Sequence, residues 1–185
     1  MFRERLFEKF RPYAELSESQ LDALERHYRL LCKWNRTLNL TRIEREEDAV
    51  RFHYCESLFL GLNLPPGDLR VADIGSGAGF PGFPIAVLRP ELDVALIESH
   101  QRKAVFLREG TSNVQNVRVL AARAEQITER FDWVVARAVS SNEVMRAGLA
   151  QNIALLMSSA DALPDSKIIK VPWANDRILL FHVEQ

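Results

Sequence analysis

The stretch Val71-Ala72-Asp73-Ile74-Gly75-Ser76-Gly77-Ala78-Gly79-Phe80-Pro81 is a short apolar run that contains one acid and leads into three glycines at alternate positions. The apolar run predicts a buried strand over residues 69–74. Glycine lets the backbone turn sharply and approach a ligand closely, because it carries no Cβ. A loop of this kind between a strand and a helix lies where open α/β sheets bind their ligands. We therefore interpret residues 75–80 as a ligand-binding loop.

The spacing of the glycines favours one kind of nucleotide ligand over another. A dinucleotide loop follows the pattern G-x-G-x-x-G, whose third glycine would fall at position 80, which is Phe80. The pattern here is G-x-G-x-G, and Asp73 before it suits a cationic, zwitterionic ligand such as S-adenosylmethionine. The candidate cofactor-binding residues are thus Asp73, Gly75, Gly77, Gly79 and Phe80. A purely structural turn is the alternative interpretation.

Two further strand ends carry polar residues that suit a nucleoside. The apolar run 94–97 ends at Glu98, about 20 residues after the glycines, which is the spacing at which an acid meets a ribose hydroxyl. A solvated carboxylate at a strand end is the alternative for Glu98. After the next strand, Ala124 and Glu125 stand where a loop could reach the adenine. Three successive strand ends would then line one crevice.

Length and composition are those of one domain with a sizeable core. The chain has 185 residues, of which 47% are hydrophobic, and a formal net charge of −1, so the overall charge does not indicate a polyanionic partner. No apolar run reaches the roughly 18 residues of a membrane span and no signal peptide is evident, so we expect a cytoplasmic protein without a membrane segment. Cys32 and Cys55 lack C-x-x-C spacing, which predicts buried thiols and no metal site.

The predicted elements are helices in the N-terminal third of the chain and alternating strands and helices after it. A capping box at Ser17 and Gln20 begins a helix over residues 18–34, and a second helix over residues 46–60 ends before Pro65-Pro66-Gly67. Beyond these, we predict strand 69–74, helix 82–89, strand 92–97, helix 100–110, strands 117–121 and 131–136, helix 141–149, strand 152–157, and closing strands 168–171 and 178–181. This alternation predicts an α/β fold with a parallel, doubly wound sheet. We expect a helical extension, residues 1–64, and a sheet domain, residues 65–185, in one compact unit.

Four motifs together resemble one known family. They are Trp34-Asn35-Arg36-Thr37-Leu38-Asn39-Leu40-Thr41, His53 with Glu56-Ser57-Leu58, the segment from Asp73 to Gly82, and Arg137-Ala138. Over residues 15–140 the chain resembles ribosomal RNA small subunit methyltransferase G, also called glucose-inhibited division protein B. The resemblance implies a class I methyltransferase with a Rossmann-like sheet and an N-terminal helical extension. Such an enzyme transfers the methyl group of S-adenosylmethionine to N7 of one guanine in 16S ribosomal RNA.

The resemblance also implies roles for residues in the cofactor crevice. Gly75 and Phe80 would lie along the methionine and the ribose, and Glu98 would bind the ribose hydroxyls. Ala124 and Glu125 would hold the adenine. These roles agree with those that the spacing of the motifs predicts.

Arg137, at the end of the fourth predicted strand, is the implied catalytic residue and would face the cofactor or the substrate. Guanine N7 carries a lone pair and no proton, so the reaction requires alignment and no general base. Arg137 could then hydrogen-bond the guanine. The alternative is an ordinary ion pair with Asp132 or Glu143.

The N-terminal motif is the implied substrate-binding element. Asn35, Asn39, Thr41 and His53 match it, and their implied task is to close over the cofactor or to shape the entrance for the RNA. Helix capping and packing of the extension onto the sheet is the alternative for these residues. The implied partner is 16S ribosomal RNA or the small ribosomal subunit, and we expect a monomer.

Three departures from the family pattern leave other functions open. Phe52 stands where the family has arginine before His53, Glu56 replaces an aspartate, and residues 157–164 lack the proline-glycine and lysine-glycine motifs of the family. A family member that binds cofactor and ribosomal RNA but has lost or redirected methyl transfer is therefore the alternative. A nicotinamide-dependent oxidoreductase is a third possibility, against which Phe80 counts.

Overall fold

The computed structural model describes residues 1–161 and 166–183. Its helices are α1 (Phe2–Phe10), α2 (Glu18–Leu38), α3 (Glu46–Ala49), α4 (Glu56–Asn63), α5 (Gly82–Leu88), α6 (Gln101–Thr111) and α7 (Ser141–Ala147). Its strands are β1 (Arg70–Ile74), β2 (Asp93–Ile97), β3 (Val117–Leu120), β4 (Trp133–Arg137), β5 (Asn152–Ser158), β6 (Lys167–Lys170) and β7 (Arg177–Val183). All the predicted strands are present. Helix α1 was not predicted.

The described residues form one seven-stranded sheet in the order β3-β2-β1-β4-β5-β7-β6. Strands β1 to β5 are parallel, as predicted, and β7 runs antiparallel between β5 and β6. The chain moves outward from β1 to β3 and then crosses to β4 on the other side of β1. The carboxyl ends of β1 and β4 therefore flank the topological switch point, where open α/β sheets bind ligands.

Helix α2 begins and ends at local signals that the sequence carries. The Ser17 side chain accepts a hydrogen bond from the Gln20 amide at 3.2 Å, and the Gln20 side chain accepts one from the Ser17 amide at 2.9 Å. The helix continues beyond the predicted end at residue 34 and stops at Asn39, whose φ of 48° is left-handed. Asparagine tolerates that conformation better than most residues, so it ends the helix without a glycine.

The predicted helix over residues 46–60 is interrupted by a different helical winding. A single turn, α3, leads into a π-helical segment, Val50–Cys55, which continues directly into α4. A π-helical turn widens the helix by one residue per hydrogen bond, and such turns are frequent at functional sites. Here the segment carries His53 and places its side chain in the protein interior.

The larger apolar cluster joins the N-terminal helices to the sheet. It includes Phe10 of α1, Leu24 of α2 and Tyr54, together with Phe83 of α5 and Phe106 of α6. A second cluster, with Val134 and Leu155 among its members, covers the opposite face of the sheet. The core is thus continuous across residue 64, and the division into two segments stays a prediction.

Two smaller expectations can be compared with the structure. Cys55 is buried as predicted, whereas Cys32 is exposed, so the prediction of a buried thiol is wrong there. Cys32 lies on α2 outside the apolar stripe that faces the core. Among residues 1–161 and 166–183, no helix is long and apolar enough to cross a membrane.

Candidate functional site

The glycine loop, residues 75–80, leaves β1 and turns across the carboxyl ends of the strands. Gly75, Gly77 and Gly79 all have positive φ values, of 69°, 56° and 89°. A Cβ on Gly77 would meet nothing closer than the Gly75 carbonyl oxygen at 3.7 Å. The backbone at Gly77 is therefore left-handed and faces open space, which is what a ligand that packs against the chain requires.

Most backbone amides of the glycine loop donate to protein acceptors. Those of Gly75 and Ser76 donate to the Ile97 carbonyl oxygen at 3.0 and 3.1 Å, and those of Gly79 and Phe80 donate to the Ser76 carbonyl oxygen. A loop that binds phosphate presents free amides to the ligand instead. The hydrogen bonding thus disfavours a dinucleotide, in agreement with the missing third glycine.

Asp73 lies behind the glycine loop and holds it to the start of α5. Its Oδ2 accepts a hydrogen bond from the Gly82 amide at 3.0 Å, and its side chain is completely buried. Burial raises the pKa of Asp73 to about 7, although hydrogen bonds from the Gly82 amide and from Ser76 oppose the shift. Asp73 thus supports the loop, and its direct contact with a ligand stays a prediction.

The buried carboxyl of Asp73 predicts a stability that falls as pH rises. Its folded pKa of about 7 exceeds the ordinary 3.8, so its contribution is fully present below about pH 4 and is lost as pH rises through 7. We expect Asp73→Asn to gain stability relative to the wild type at pH 8 compared with pH 5. Urea unfolding at both pH values measures this difference. An equal change in unfolding free energy at both would contradict the raised pKa.

Glu98 lies at the end of β2 and joins two loops. Its Oε2 accepts a hydrogen bond from the Gly77 amide at 2.9 Å, and its Oε1 accepts one from the His100 amide at 2.7 Å. The side chain is buried, so the alternative of a solvated carboxylate is wrong. A carboxylate offers about four acceptor positions, and these bonds leave others for ribose hydroxyls. Ribose binding stays a prediction.

The third strand end lies beside the first two, at the edge where the sequence predicts a crevice. Ile97 pairs with both Ile74 of β1 and Leu120 of β3, so the three strand ends are adjacent. A single 3₁₀ turn, Ala124–Gln126, follows β3. Ala124 is half-buried there and Glu125 is exposed. The structure thus brings the predicted cofactor residues to one edge of the sheet, and the adenine contact stays a prediction.

Arg137 ends β4 beside the switch point and points toward the π-helical segment. Its Nη1 donates to the Phe52 carbonyl oxygen and lies 2.7 Å from His53 Nδ1. Arg137 forms no ion pair with Asp132 or Glu143, so that alternative is wrong; these carboxylates accept hydrogen bonds from the backbone amides of Arg70 and Ser140 instead. Burial lowers the pKa of Arg137 to about 10, so its guanidinium stays charged at neutral pH.

Glu56 is a buried carboxyl group that interacts electrostatically with Arg137. It is completely buried, and its Oε1 lies 3.0 Å from Nε of Arg177 on β7. Burial raises the pKa of Glu56 to about 7, against the opposing charges of Arg177 and Arg137. Sequence reasoning missed Arg177, since no motif surrounds it. The available signal was Glu56 itself, an acid within a predicted helix, because an acid that is buried there needs a cation nearby.

The N-terminal motif reaches the site through hydrogen bonds. The side chain of Asn35 forms two hydrogen bonds with the backbone of Thr41. Its Nδ2 donates to the Thr41 carbonyl oxygen at 3.0 Å, and its Oδ1 accepts from the Thr41 backbone N–H at 2.8 Å. Thr41 Oγ1 lies 2.7 Å from His53 Nε2, and the His53 ring stacks on Phe80 at 4.5 Å between centroids. Asn39 is exposed at the end of α2. Contact of these residues with RNA stays a prediction.

His27 is a second residue that the sequence analysis missed. It is fully buried on α2, its ring stacks on Phe83 at 4.4 Å, and its Nδ1 lies 2.8 Å from the Tyr54 hydroxyl. Burial lowers the pKa of His27 to about 3, so the ring is neutral. A Cβ on Gly79 would lie 3.2 Å from its Nε2. His27 therefore packs closely against the glycine loop at Gly79.

A cavity of about 640 Å³ opens at the carboxyl ends of β4 and β5. It is lined by residues 138–142, by residues 156–158, and by Ala160 and Arg177. Its volume lies within the range of about 300–1,000 Å³ for small-molecule pockets. The segment that departs from the family pattern therefore borders this cavity, although residues 162–165 lie outside the described residues.

The fold and the site together define the class I methyltransferase fold. Solved structures with this fold include an S-adenosylmethionine-dependent methyltransferase from Aquifex aeolicus, with a TM-score of 0.57, 12% identity, and coverage of 75% of this chain and 93% of that one. A predicted O-methyltransferase from Agrobacterium tumefaciens matches with a TM-score of 0.55, 18% identity, and coverage of 69% and 79%. These similarities concern the fold alone.

The chain belongs to the rRNA small subunit methyltransferase G family, whose model matches residues 20–156. The ribosomal RNA small subunit methyltransferase G of Chromobacterium violaceum is 44% identical over 130 residues, which are 68% of this chain and 62% of the relative. That of a Roseiflexus species is 43% identical over 133 residues, which are 68% and 57%. The chain thus spans about three fifths of the length of these curated relatives.

Proposed function

We propose that this protein transfers the methyl group of S-adenosylmethionine to N7 of a guanine in 16S ribosomal RNA. The family to which it belongs and the names of its relatives support this substrate. The observation that carries the proposal is the position of Arg137. It ends β4, which pairs on one side with β1, the strand that leads into the glycine loop, and on the other with β5, whose end borders the cavity.

The residues of the crevice fit S-adenosylmethionine better than a dinucleotide. Gly75, Gly77, Gly79 and Phe80 offer a close backbone surface without free amides for a pyrophosphate. Glu98 has acceptor positions left for ribose hydroxyls, and residues 124–125 would border the adenine. When bound, S-adenosylmethionine supplies a methyl group on a positively charged sulfur.

Methylation of guanine N7 requires only that the protein position N7 against the methyl group. N7 carries a lone pair and no proton, so no side chain has to act as a base, and holding the reacting atoms in line accelerates such a reaction. Both contacts of Arg137 use Nη1, which leaves Nη2 and Nε for a hydrogen bond to guanine O6. Glu56, 3.0 Å from Arg177 Nε, is the carboxyl group that acts electrostatically on this donor.

The surface near the crevice carries unpaired positive charge. Arg36, Arg42, Arg102 and Arg123 are exposed, and none of them has a carboxylate within ion-pair distance in the described part of the chain. Arg102 begins α6 after β2, and Arg123 follows β3, so both lie near the carboxyl ends of the strands. Contacts of such residues with phosphate provide affinity through the release of counterions. The protein would then act in the cytoplasm on RNA or small subunits, as a monomer.

Reversing one of these charges is expected to weaken RNA binding without changing the chemical step. Arg102→Glu should raise the KM for 16S RNA several-fold and reduce the slope of log affinity against log salt by about 1, because one phosphate contact is lost. The kcat should stay at the wild-type value. The matched control is Arg130→Glu, which changes an exposed arginine before β4 at the opposite edge of the sheet. Equal effects of both changes would contradict a docking surface at the crevice.

Transfer of labelled methyl from S-adenosylmethionine to small subunits that lack the modification tests the proposal. Mass mapping of the RNA should locate 7-methylguanine at a single nucleotide. Calorimetry with S-adenosylmethionine and with NAD should show binding of the first alone. Binding of cofactor and RNA without transfer would contradict the proposed activity and would favour a binding protein, whereas binding of NAD would overturn the assignment of the crevice.

A further inference from the structure

His53 connects the N-terminal motif to Arg137. Its Nδ1 lies 2.7 Å from Arg137 Nη1, and its Nε2 lies 2.7 Å from Thr41 Oγ1. The guanidinium of arginine can only donate, so Nδ1 has to be the acceptor in the first contact. A neutral imidazole with an unprotonated Nδ1 carries its proton on Nε2, and this proton is donated to Thr41 Oγ1.

The surroundings keep this ring neutral and fix its orientation. Burial and the positive charge of Arg137 lower the pKa of His53 well below its ordinary value. The ring is stacked on Phe80, with 4.5 Å between centroids and 10° between planes. Stacking fixes the plane of the imidazole, and the two hydrogen bonds fix its rotation within that plane.

Thr41, the hydrogen-bond partner of His53 Nε2, is itself held in place by hydrogen bonds. Thr41 Oγ1 accepts a further hydrogen bond from the Ile43 amide at 3.0 Å, and the Thr41 backbone is bracketed by the Asn35 amide. Both polar groups of Asn35 are thus used within the protein. The contacts run from the end of α2 through Thr41 and His53 to the guanidinium at the end of β4.

We propose that His53 is a positioning residue, a neutral ring protonated on Nε2 whose Nδ1 accepts a hydrogen bond from Arg137 and so fixes the orientation of the guanidinium. Asn35, Thr41 and His53 then act on the site through Arg137 and not by binding RNA. This proposal rests on the proposed function for the importance of Arg137. The hydrogen bond itself can be tested without any methyl transfer.

The first experiment observes the ring and the guanidinium directly in the protein without ligands. Nitrogen-15 spectra at pH 7 should show His53 neutral and protonated on Nε2. The guanidinium protons of Arg137 should exchange with water faster in His53→Phe, which keeps an aromatic ring against Phe80 but removes the acceptor, and slowly again in His53→Asn. A ring protonated on Nδ1, a charged ring, or unchanged exchange in His53→Phe would overturn the proposal.

The second experiment measures kinetics in the variants. Loss of a hydrogen bond to a charged group predicts a kcat about 10- to 100-fold lower in His53→Phe, with the KM for RNA changed less than about threefold. His53→Asn should recover most of the loss, and His53→Phe should cost nothing further in an Arg137→Ala background. His182→Phe, on β7 at the opposite end of the sheet, is the matched control.

The outcomes separate this proposal from the proposed function. A rise in the KM for RNA with kcat unchanged would overturn the positioning role and favour direct contact of His53 with the substrate. If the wild type transfers no methyl group, the proposed function fails, and the spectra still decide whether His53 holds Arg137. If His53→Phe does not fold, the tautomer in the wild type and the exchange in His53→Asn remain decisive.

Discussion

Replacing Arg137 by alanine is expected to lower kcat for methyl transfer about 100-fold or more, because preorganised donors at a reacting group contribute effects of 10²–10³. The side chain is half-buried at the end of β4 and is held by Phe52 and His53, so it is oriented before the substrate binds. Single-turnover methylation of unmodified small subunits measures the loss. Calorimetry should show that binding of S-adenosylmethionine changes much less.

Arg137→Lys is the informative companion of this variant. Lysine keeps the charge but not the planar guanidinium with its several fixed donors, so we expect an activity between those of the wild type and Arg137→Ala. Arg130→Ala, at the far edge of the sheet, should leave the rate unchanged. Full activity of Arg137→Ala would mean that the cavity at β4 and β5 orients the guanine without this residue.

The cofactor crevice could be predicted because its signals are local. A strand, a glycine loop and the acid Glu98 after the next strand each depend on a few neighbouring residues. Parallel pairing then makes adjacent strand ends meet at one edge of the sheet. The edge of the sheet at which the candidate residues meet follows from this geometry. The order of the strands, the antiparallel β7 and the hydrogen bonding of the glycine-loop amides within the protein required the structure.

The surroundings of Arg137 could not be predicted, because its partners are distant in the sequence. Phe52 and His53 are 85 and 84 residues away, and Arg177 of β7 reaches the same cluster through Glu56. The apolar repeat over residues 46–60 has the period of an ordinary helix and does not reveal the π-helical segment. Tertiary contacts decide that winding and with it the position of His53.

Gly82→Ala is the substitution with the largest expected effect on stability. The glycine begins α5 in a buried position, and its φ is not left-handed, so the cost of alanine is steric alone. A Cβ there would lie 2.8 Å from both Cβ and Oδ2 of Asp73 and still closer to Cδ2 of Leu96. Overpacking of a dense interior lowers the free energy of unfolding by about 1–3 kcal/mol. Since the added methyl group would contact both β1 and β2, we expect a loss at or above the upper end of that range.

The same contact connects this stability loss to the cofactor crevice. Since the Gly82 amide donates to Asp73 Oδ2 at 3.0 Å, any shift of α5 that accommodates the methyl group also moves the support of the glycine loop. We therefore expect Gly82→Ala to lower the unfolding free energy in urea by about 3 kcal/mol or more and to weaken binding of S-adenosylmethionine. In Gly67→Ala the added Cβ meets nothing within 4 Å, and φ is 113°, so only backbone strain, of about 1–2 kcal/mol, should appear, with cofactor binding unchanged. Equal losses in the two variants would mean that α5 can move away from β1 without disturbing the loop, and Asp73 would then not be its support.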